Sequence, residues 1–300
     1  MKIGLHDAEM GVFPNLALMK ISSYHKARGD EVSRWYPLGS YDKVYSSKVF
    51  LETCEDPYLP SYTIKGGTGY MLAEDKLPYD IESAYPDYSM YPNSRFALGF
   101  LTRGCPRNCP FCIVSSKEGF ASQQVGELSD FWNGGDRDRL KHIKLLDPNI
   151  LACVDAHKIL DGLAGLPARI EFTQGLDIRL IRRDTMQLLN RINLHSLNFS
   201  WDDPQESLIP QFQQVKEWSR IKNKRKLNVY VLTNFNSELK QDLFRVYSLR
   251  DMGFNPYVMI YNKSSAPLEI RQLQRWVNNR RIFNSIDLFT DYQKIRGDNV

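Results

Sequence analysis

Phe96-Ala97-Leu98-Gly99-Phe100-Leu101 runs through Thr102-Arg103 into Gly104-Cys105-Pro106-Arg107-Asn108-Cys109-Pro110-Phe111-Cys112. The first six residues read as a short buried strand; the rest read as a tight loop that places three cysteines within eight residues at the strand's C-terminal end. Five further strand candidates follow at regular intervals: His142 to Leu146, Arg169 to Thr173, Ser196 to Trp201, Leu227 to Thr233 and Pro256 to Tyr261. The segments between them are mostly long enough for a helix, most clearly Asp184 to Asn190, Pro210 to Ile221 and Glu238 to Asp251. Strands alternating with helices predict a parallel α/β sheet, curled into a partial (β/α)6 TIM-like barrel over residues 96–265. In barrels of this kind the chemistry sits at the C-terminal ends of the strands, where the cysteines lie. The tail, residues 266–300, carries Leu268, Leu273, Trp276 and Val277 near helical spacing and reads as a closing helix.

Upstream, Lys2 to His6 reads as a strand, Asn15 to Ala27 as a helix ended by Gly29-Asp30, and Glu31 to Tyr36 and Lys43 to Leu51 as strands. Residues 1–75 are therefore expected to form a small N-terminal truncated Rossmann-like α/β unit. Gly66-Gly67-Thr68-Gly69 after Ser61 to Lys65 reads as a plain turn or as a close backbone approach to a ligand, with neither P-loop nor dinucleotide spacing. Residues 76–95, with Pro78, Pro86 and Pro92 among Tyr79, Tyr85, Tyr88 and Tyr91, read as a linker on the surface.

The chain has 300 residues, 39 Lys+Arg against 35 Asp+Glu, a net charge of +4 and 42% hydrophobic residues. The longest apolar run is the Phe96 to Leu101 strand, far below the ~18 residues of a membrane span, and the first residues turn polar too early for a secretory leader. A cytoplasmic protein without a membrane partner is expected. Five cysteines are too few, and odd in number, for a disulfide framework. Cys54 and Cys153 read as small core residues. The basic run Arg220, Lys222, Lys224, Arg225 and Lys226 reads as a solvated helix end on the rim opposite the cysteines, so nucleic acid is not indicated as a partner. His142, His157 and His195 have no metal spacing.

Cys105, Cys109 and Cys112 are expected metal ligands. A structural zinc site is normally closed by four protein ligands, and the loop supplies three. A [4Fe–4S] cluster held by three cysteines keeps one iron open to an outside molecule. From the residues alone both a zinc knuckle and such a cluster stand.

The spacing Cys-x3-Cys-x2-Cys, with Phe111 before the last cysteine, resembles the signature of the radical S-adenosylmethionine (SAM) superfamily. The resemblance implies a [4Fe–4S] cluster whose open iron binds SAM, reductive cleavage of SAM to methionine and a 5′-deoxyadenosyl radical, and an electron donor such as flavodoxin or ferredoxin as partner. Residues 1–75 resemble a shortened cobalamin-binding half found in one branch, and the whole chain resembles small bacterial and phage members. The branch's Asp-x-His-x-x-Gly motif is missing, since Asp7 is followed by Ala8 and Glu9, so cobalamin is not expected.

The same resemblance implies cofactor-binding roles at the strand ends. Phe111 belongs to the signature, and Asp147 and Asn149 stand where the superfamily often has Gly-Gly-Glu, against the plain reading of an Asp-Pro-Asn turn. Arg179 could pair with the SAM carboxylate through its guanidinium fork, with Gln174 and Asp177 as hydrogen-bond partners; a surface Asp177–Arg179 ion pair is the other reading. Ser200 and Asp202 suit the ribose, Trp201 a pocket wall, and Asn234 the adenine or substrate, while Asp203-Pro204 reads equally as a helix entry. The sequence thus leads to an enzyme of the radical SAM type, and alternatively to a non-catalytic zinc- or iron–sulfur-binding module that recognises nucleic acid.

Overall fold

The computed structural model describes residues 1–9, 11, 13–71, 76–134 and 141–295. The expected boundary at residue 75 and tail residues 296–300 lie outside these. The chain divides into two compact units, Met1–Gly99 with Glu127–Lys141, and Phe100–Gly126 with His142–Val300.

In the first unit, β1 (Lys2–Asp7), β2 (Glu31–Arg34), β3 (Lys43–Ser47) and β4 (Ile64–Gly66) form a parallel sheet in the order β2-β1-β3-β4. Helix α1 (Leu16–Ala27) starts at Asn15, whose side chain accepts from the Leu18 N–H at 3.2 Å. Its Leu18 and Ile21 pack on Ile3 and Leu5 of β1. After β4 the chain turns at Gly67, with φ +96; a Cβ there would meet the Lys48 carbonyl oxygen at 2.4 Å, so only glycine allows the approach. Residues 76–95 do more than wrap the surface. They form α2 (Tyr79–Glu82), place Ile81 in the core, and bury Tyr91, whose hydroxyl donates to Asp7 at 2.8 Å. The strand β5 (Phe96–Gly99) completes this stretch.

The second unit opens with the two-residue strand β6 (Thr102–Arg103), the cysteine loop, α3 (Val114–Glu118) and β7 (Gln123–Gln124), which pairs antiparallel with β6. Then come β8 (His142–Leu145), α4 (Ala156–Leu163), β9 (Arg169–Phe172), α5 (Arg183–Leu189), β10 (Leu197–Ser200), α6 (Ile209–Trp218), β11 (Leu227–Thr233), α7 (Leu239–Asp251) and β12 (Asn255–Ile260). All six expected strands are present, and among the described residues no closed barrel forms. β8 and β9 pair parallel, β10, β11 and β12 make a parallel sheet, and only single bridges, Ile170↔Leu194 and Leu176↔Phe199, join the two groups. The ladder is interrupted there because β9 ends at Phe172 and the chain turns at Gly175, with φ +81, before Leu176 meets β10 again at Phe199.

β11 shows why these segments are strands. Leu227, Val229, Val231 and Thr233 are all buried, while Asn228, Tyr230 and Leu232 alternate with them on the opposite face. The tail forms α8 (Leu268–Asn278), α9 (Arg280–Ser285) and α10 (Phe289–Ile295), three helices in place of one. Trp276, Phe283, Phe289 and Tyr292 close over Val246 of α7 and Val258 of β12. Asp203 does not cap a helix: it accepts from the Gln205 N–H at 2.8 Å in a turn, and α6 starts six residues later with Pro210 in its first turn. Cys153 is buried as expected, whereas Cys54 is exposed in the turns between β3 and β4, where no apolar layer covers it.

Two buried charged side chains fix the C-terminal strand ends. Arg245 of α7, 1% exposed, donates to the carbonyls of Trp201, Asp202 and Leu232 and pairs with Asp242. Asp147, just beyond β8 and 4% exposed, accepts the Leu101 N–H at 3.1 Å, the Thr102 N–H, and the Thr102 hydroxyl at 2.7 Å.

Arg245→Ala leaves Asp242 buried without its counter-charge, and urea unfolding should show a loss of about 3–5 kcal/mol. Burial pushes the Asp147 carboxyl up to about 6, against the pull of the Thr102 and Leu101 hydrogen bonds. A carboxyl that binds protons more tightly when folded makes stability fall as pH rises from about 4. The fall ends once the pH passes the folded value. Asp147→Asn should remove that part of the decline in a series of unfolding curves between about pH 4 and about pH 7.

Candidate functional site

The cysteine loop is held at both ends by backbone geometry. Gly104 has φ +87, and a Cβ on it would lie 2.2 Å from the Ala121 carbonyl oxygen, so the strand can turn into the loop only through glycine. The Cys105 N–H donates to the Gly119 carbonyl at 3.1 Å, and the Cys112 N–H closes a turn on the Cys109 carbonyl at 3.0 Å. Glu118 at the end of α3 accepts from the Gly104 N–H at 3.3 Å and from Arg103 at 3.2 Å. All three cysteines are free thiols; Cys105 and Cys109 are half-buried and Cys112 is exposed.

Burial pushes the Cys109 thiol up, and the neighbouring Cys112 and Cys105 push it the same way, while Arg107 and Arg179 pull it down. Cys109 therefore feels both of its neighbouring thiols and the two guanidinium groups. Among the described residues no group of three His, Cys, Asp or Glu side chains converges to hold a single metal ion.

A chain of contacts leads from the loop to the ends of β8, β9 and β10. Asn149, 4% exposed, donates from Nδ2 to Cys105 Sγ at 3.6 Å and to Asp177 at 3.4 Å, while its Oδ1 is buried without a partner. Asp177 accepts from Arg179 Nε at 2.6 Å. Arg179 Nη1 donates to Glu206 at 2.6 Å, and Glu206 also reaches Arg107 inside the cysteine loop at 3.8 Å. The Asp177–Arg179 pair is thus part of a half-buried network, and the Nη2 end of the Arg179 fork has no hydrogen bond among the described residues. The Asp202 carboxyl is pushed up by burial and pulled down by the Ser200 hydroxyl, Arg245 and Arg179.

Phe111 packs edge-on against Phe235 with ring centroids 5.4 Å apart, and Phe235 in turn meets Tyr261 at 4.8 Å. Asn234, at φ +61, donates to the Tyr261 carbonyl at 2.8 Å and ties the ends of β11 and β12 together. Asn149, Asp177, Arg179, Asp202 and Phe111 are therefore brought to the cysteine end of the second unit. Gln174 is exposed and makes no side-chain bond to the group, and the Asp147 carboxylate is taken up by Leu101 and Thr102. The reading of the sequence missed Glu206, Arg107 and Phe235. Arg107 was in plain view between two cysteines; Glu206 lies in a polar turn that gives no sign of bridging two arginines.

The donor set fits an iron–sulfur cluster: three soft thiolates on one loop, with cations positioned to offset the negative charge that thiolate ligation brings. Among the described residues no helix is long and apolar enough to cross a membrane.

No protein-family model matches the chain, and no curated protein matches it by sequence. Solved structures do match by fold. One is the radical SAM methyltransferase TsrM from Kitasatospora setae with cobalamin and a [4Fe–4S] cluster bound, at TM-score 0.60 and 11% identity, covering 86% of this chain and 72% of that one. A structure of the same enzyme with its tryptophan substrate and the SAM analogue aza-SAM superposes at TM-score 0.40 and 12% identity, covering 86% of this chain and 67% of that one. Because the first of these holds cobalamin, the expectation that cobalamin is not bound finds no support in the comparison. In its fold the chain is similar to this solved structure of a radical SAM methyltransferase that carries cobalamin.

Proposed function

We propose that this chain is a radical SAM enzyme, with Cys105, Cys109 and Cys112 as the ligands of a [4Fe–4S] cluster and SAM bound at the C-terminal strand ends of an open, partial barrel. The observation that carries the reading is the loop of three free thiols, two of them half-buried, with Arg107 inside it and Arg179 tied to Arg107 through Glu206, and with the unpaired Oδ1 of Asn149 beside Cys105. A cluster ties each cysteine to its own iron, so the thiols need not converge on one point. When bound, the cluster would supply the electron that cleaves SAM and the open iron that holds it.

The chain's own residues account for the rest. Asn149 Oδ1 is a buried acceptor in need of a donor, which the SAM amino group provides. Arg179 offers its free Nη2 to the SAM carboxylate, while Asp177 and Glu206 hold the guanidinium in place. Ser200 and Asp202 face the ribose hydroxyls, and Phe111 with Phe235 supplies aromatic surface for the adenine. Asp147 acts through the backbone, fixing Leu101 and Thr102 so that the loop leaves the sheet in one direction.

Anaerobic reconstitution with iron and sulfide, followed by reductant and SAM, should release 5′-deoxyadenosine or a related cleavage product. A cluster-loaded protein that neither binds nor cleaves SAM, or a protein that takes up zinc without sulfide, overturns the reading. Alanine at any of the three cysteines should abolish the brown chromophore. Arg179→Gln should keep the chromophore and weaken SAM binding by about tenfold or more, as expected for the loss of a charge-assisted hydrogen bond.

A further inference from the structure

The opposite end of the second unit holds a cavity of about 470 Å³ at the N-terminal ends of β9, β10 and β11. Its rim carries four cations from three segments: Arg169 opens β9, Arg225 and Lys226 precede β11, and Arg280 opens α9. Its floor is polar, because the residues of β10 and β11 that alternate with the buried apolar ones face it: Asn198, Asn228 and Tyr230.

The charge on this rim is not compensated from within. Glu171 is the one carboxylate lining the cavity, and it is already engaged by His142 at 2.9 Å and Lys144 at 3.6 Å from β8. Lys226 spends its ammonium on the Leu194 carbonyl at 2.9 Å, and Arg280 donates to Asn228 Oδ1 at 3.1 Å; neither bond neutralises a charge. Arg169 and Arg225 make no side-chain hydrogen bond or ion pair among the described residues. Asn228 in turn donates to Asn198 Oδ1 at 2.9 Å, so the floor is ordered by its own hydrogen bonds. Bringing four cations around one concave space costs repulsion that a polyanion would relieve, and guanidinium forks match phosphate oxygens in pairs.

We propose that this cavity is a binding site for a small phosphate ester, with the phosphate among Arg169, Arg225, Lys226 and Arg280 and the polar remainder against Asn198, Asn228 and Tyr230. The volume lies in the usual range for small-molecule sites. The site is separate from the cysteine loop, being built at the other ends of the same parallel strands. A basic run that reads in sequence as a solvated helix end thereby gains Arg169 and Arg280, which lie far from it in the chain, as partners.

Calorimetric titration of the full-length protein with pyrophosphate and with ADP, in excess SAM to keep the opposite end occupied, tests the assignment. Saturable binding of both is expected, weakened by about tenfold or more in an Arg169→Ala, Arg225→Ala double variant whose circular dichroism is unchanged. Both arginines lack side-chain bonds, so their removal leaves nothing buried unpaired. No saturable binding, or binding that the double variant leaves intact, overturns the proposal. So does binding of a 5′-phosphorylated RNA oligonucleotide when neither small ligand binds, which would mark an open nucleic-acid surface instead.

Discussion

The carboxylate of Asp147 accepts two peptide N–H groups and a hydroxyl from Leu101 and Thr102, in a place where water does not reach. Those two residues stand just ahead of Arg103 and of Gly104, the glycine that turns the chain into the cysteine loop. A buried N–H left without an acceptor costs about 1–3 kcal/mol, so the start of the loop is not free to drift away from the end of β8. Everything proposed for the site depends on this anchor. Gly104 sets the direction, Glu118 holds its N–H at the turn, and Cys105 is then presented beside Asn149.

Charge is divided between the two ends of the second unit. At the cysteine end the cations are partnered: Arg179 is held by Asp177 and Glu206, and Glu206 reaches across to Arg107. Such pairing fixes where the guanidinium groups point, and both still pull on the Cys109 thiol. At the other end, around the cavity, the arginines and Lys226 have no carboxylate partner among the described residues. The first arrangement suits groups that must hold position beside a reactive centre, the second suits groups that wait for a ligand's charge. Arg245 locks the ends of β10 and β11 through the carbonyls of Trp201 and Leu232.

What the sequence showed and what it hid follow from the range of the interactions concerned. The cysteine loop was legible because its spacing and its glycine act over eight residues. The strands were legible because apolar residues recur with period two, as in Leu227, Val229 and Val231. The break in the ladder between β9 and β10 was not, since it depends on how the turn at Gly175 meets Asn198 and Phe199, which lie well beyond it in the chain. Asp147 read equally as a turn residue or a cofactor contact, because nothing local tells which amide, some 45 residues earlier, a carboxylate will meet. Glu206 gave no signal for the same reason, and the cavity takes its cations from segments that only the fold brings together.

The central claim is that three cysteines hold a four-iron cluster whose fourth iron is open. Mössbauer spectroscopy of the anaerobically reconstituted, iron-57-labelled protein, recorded before and after addition of SAM, addresses it directly. The account predicts that SAM shifts the signal of one iron in four and leaves the other three in place. A spectrum unchanged by SAM, or one in which all four irons behave alike with and without it, would contradict the account.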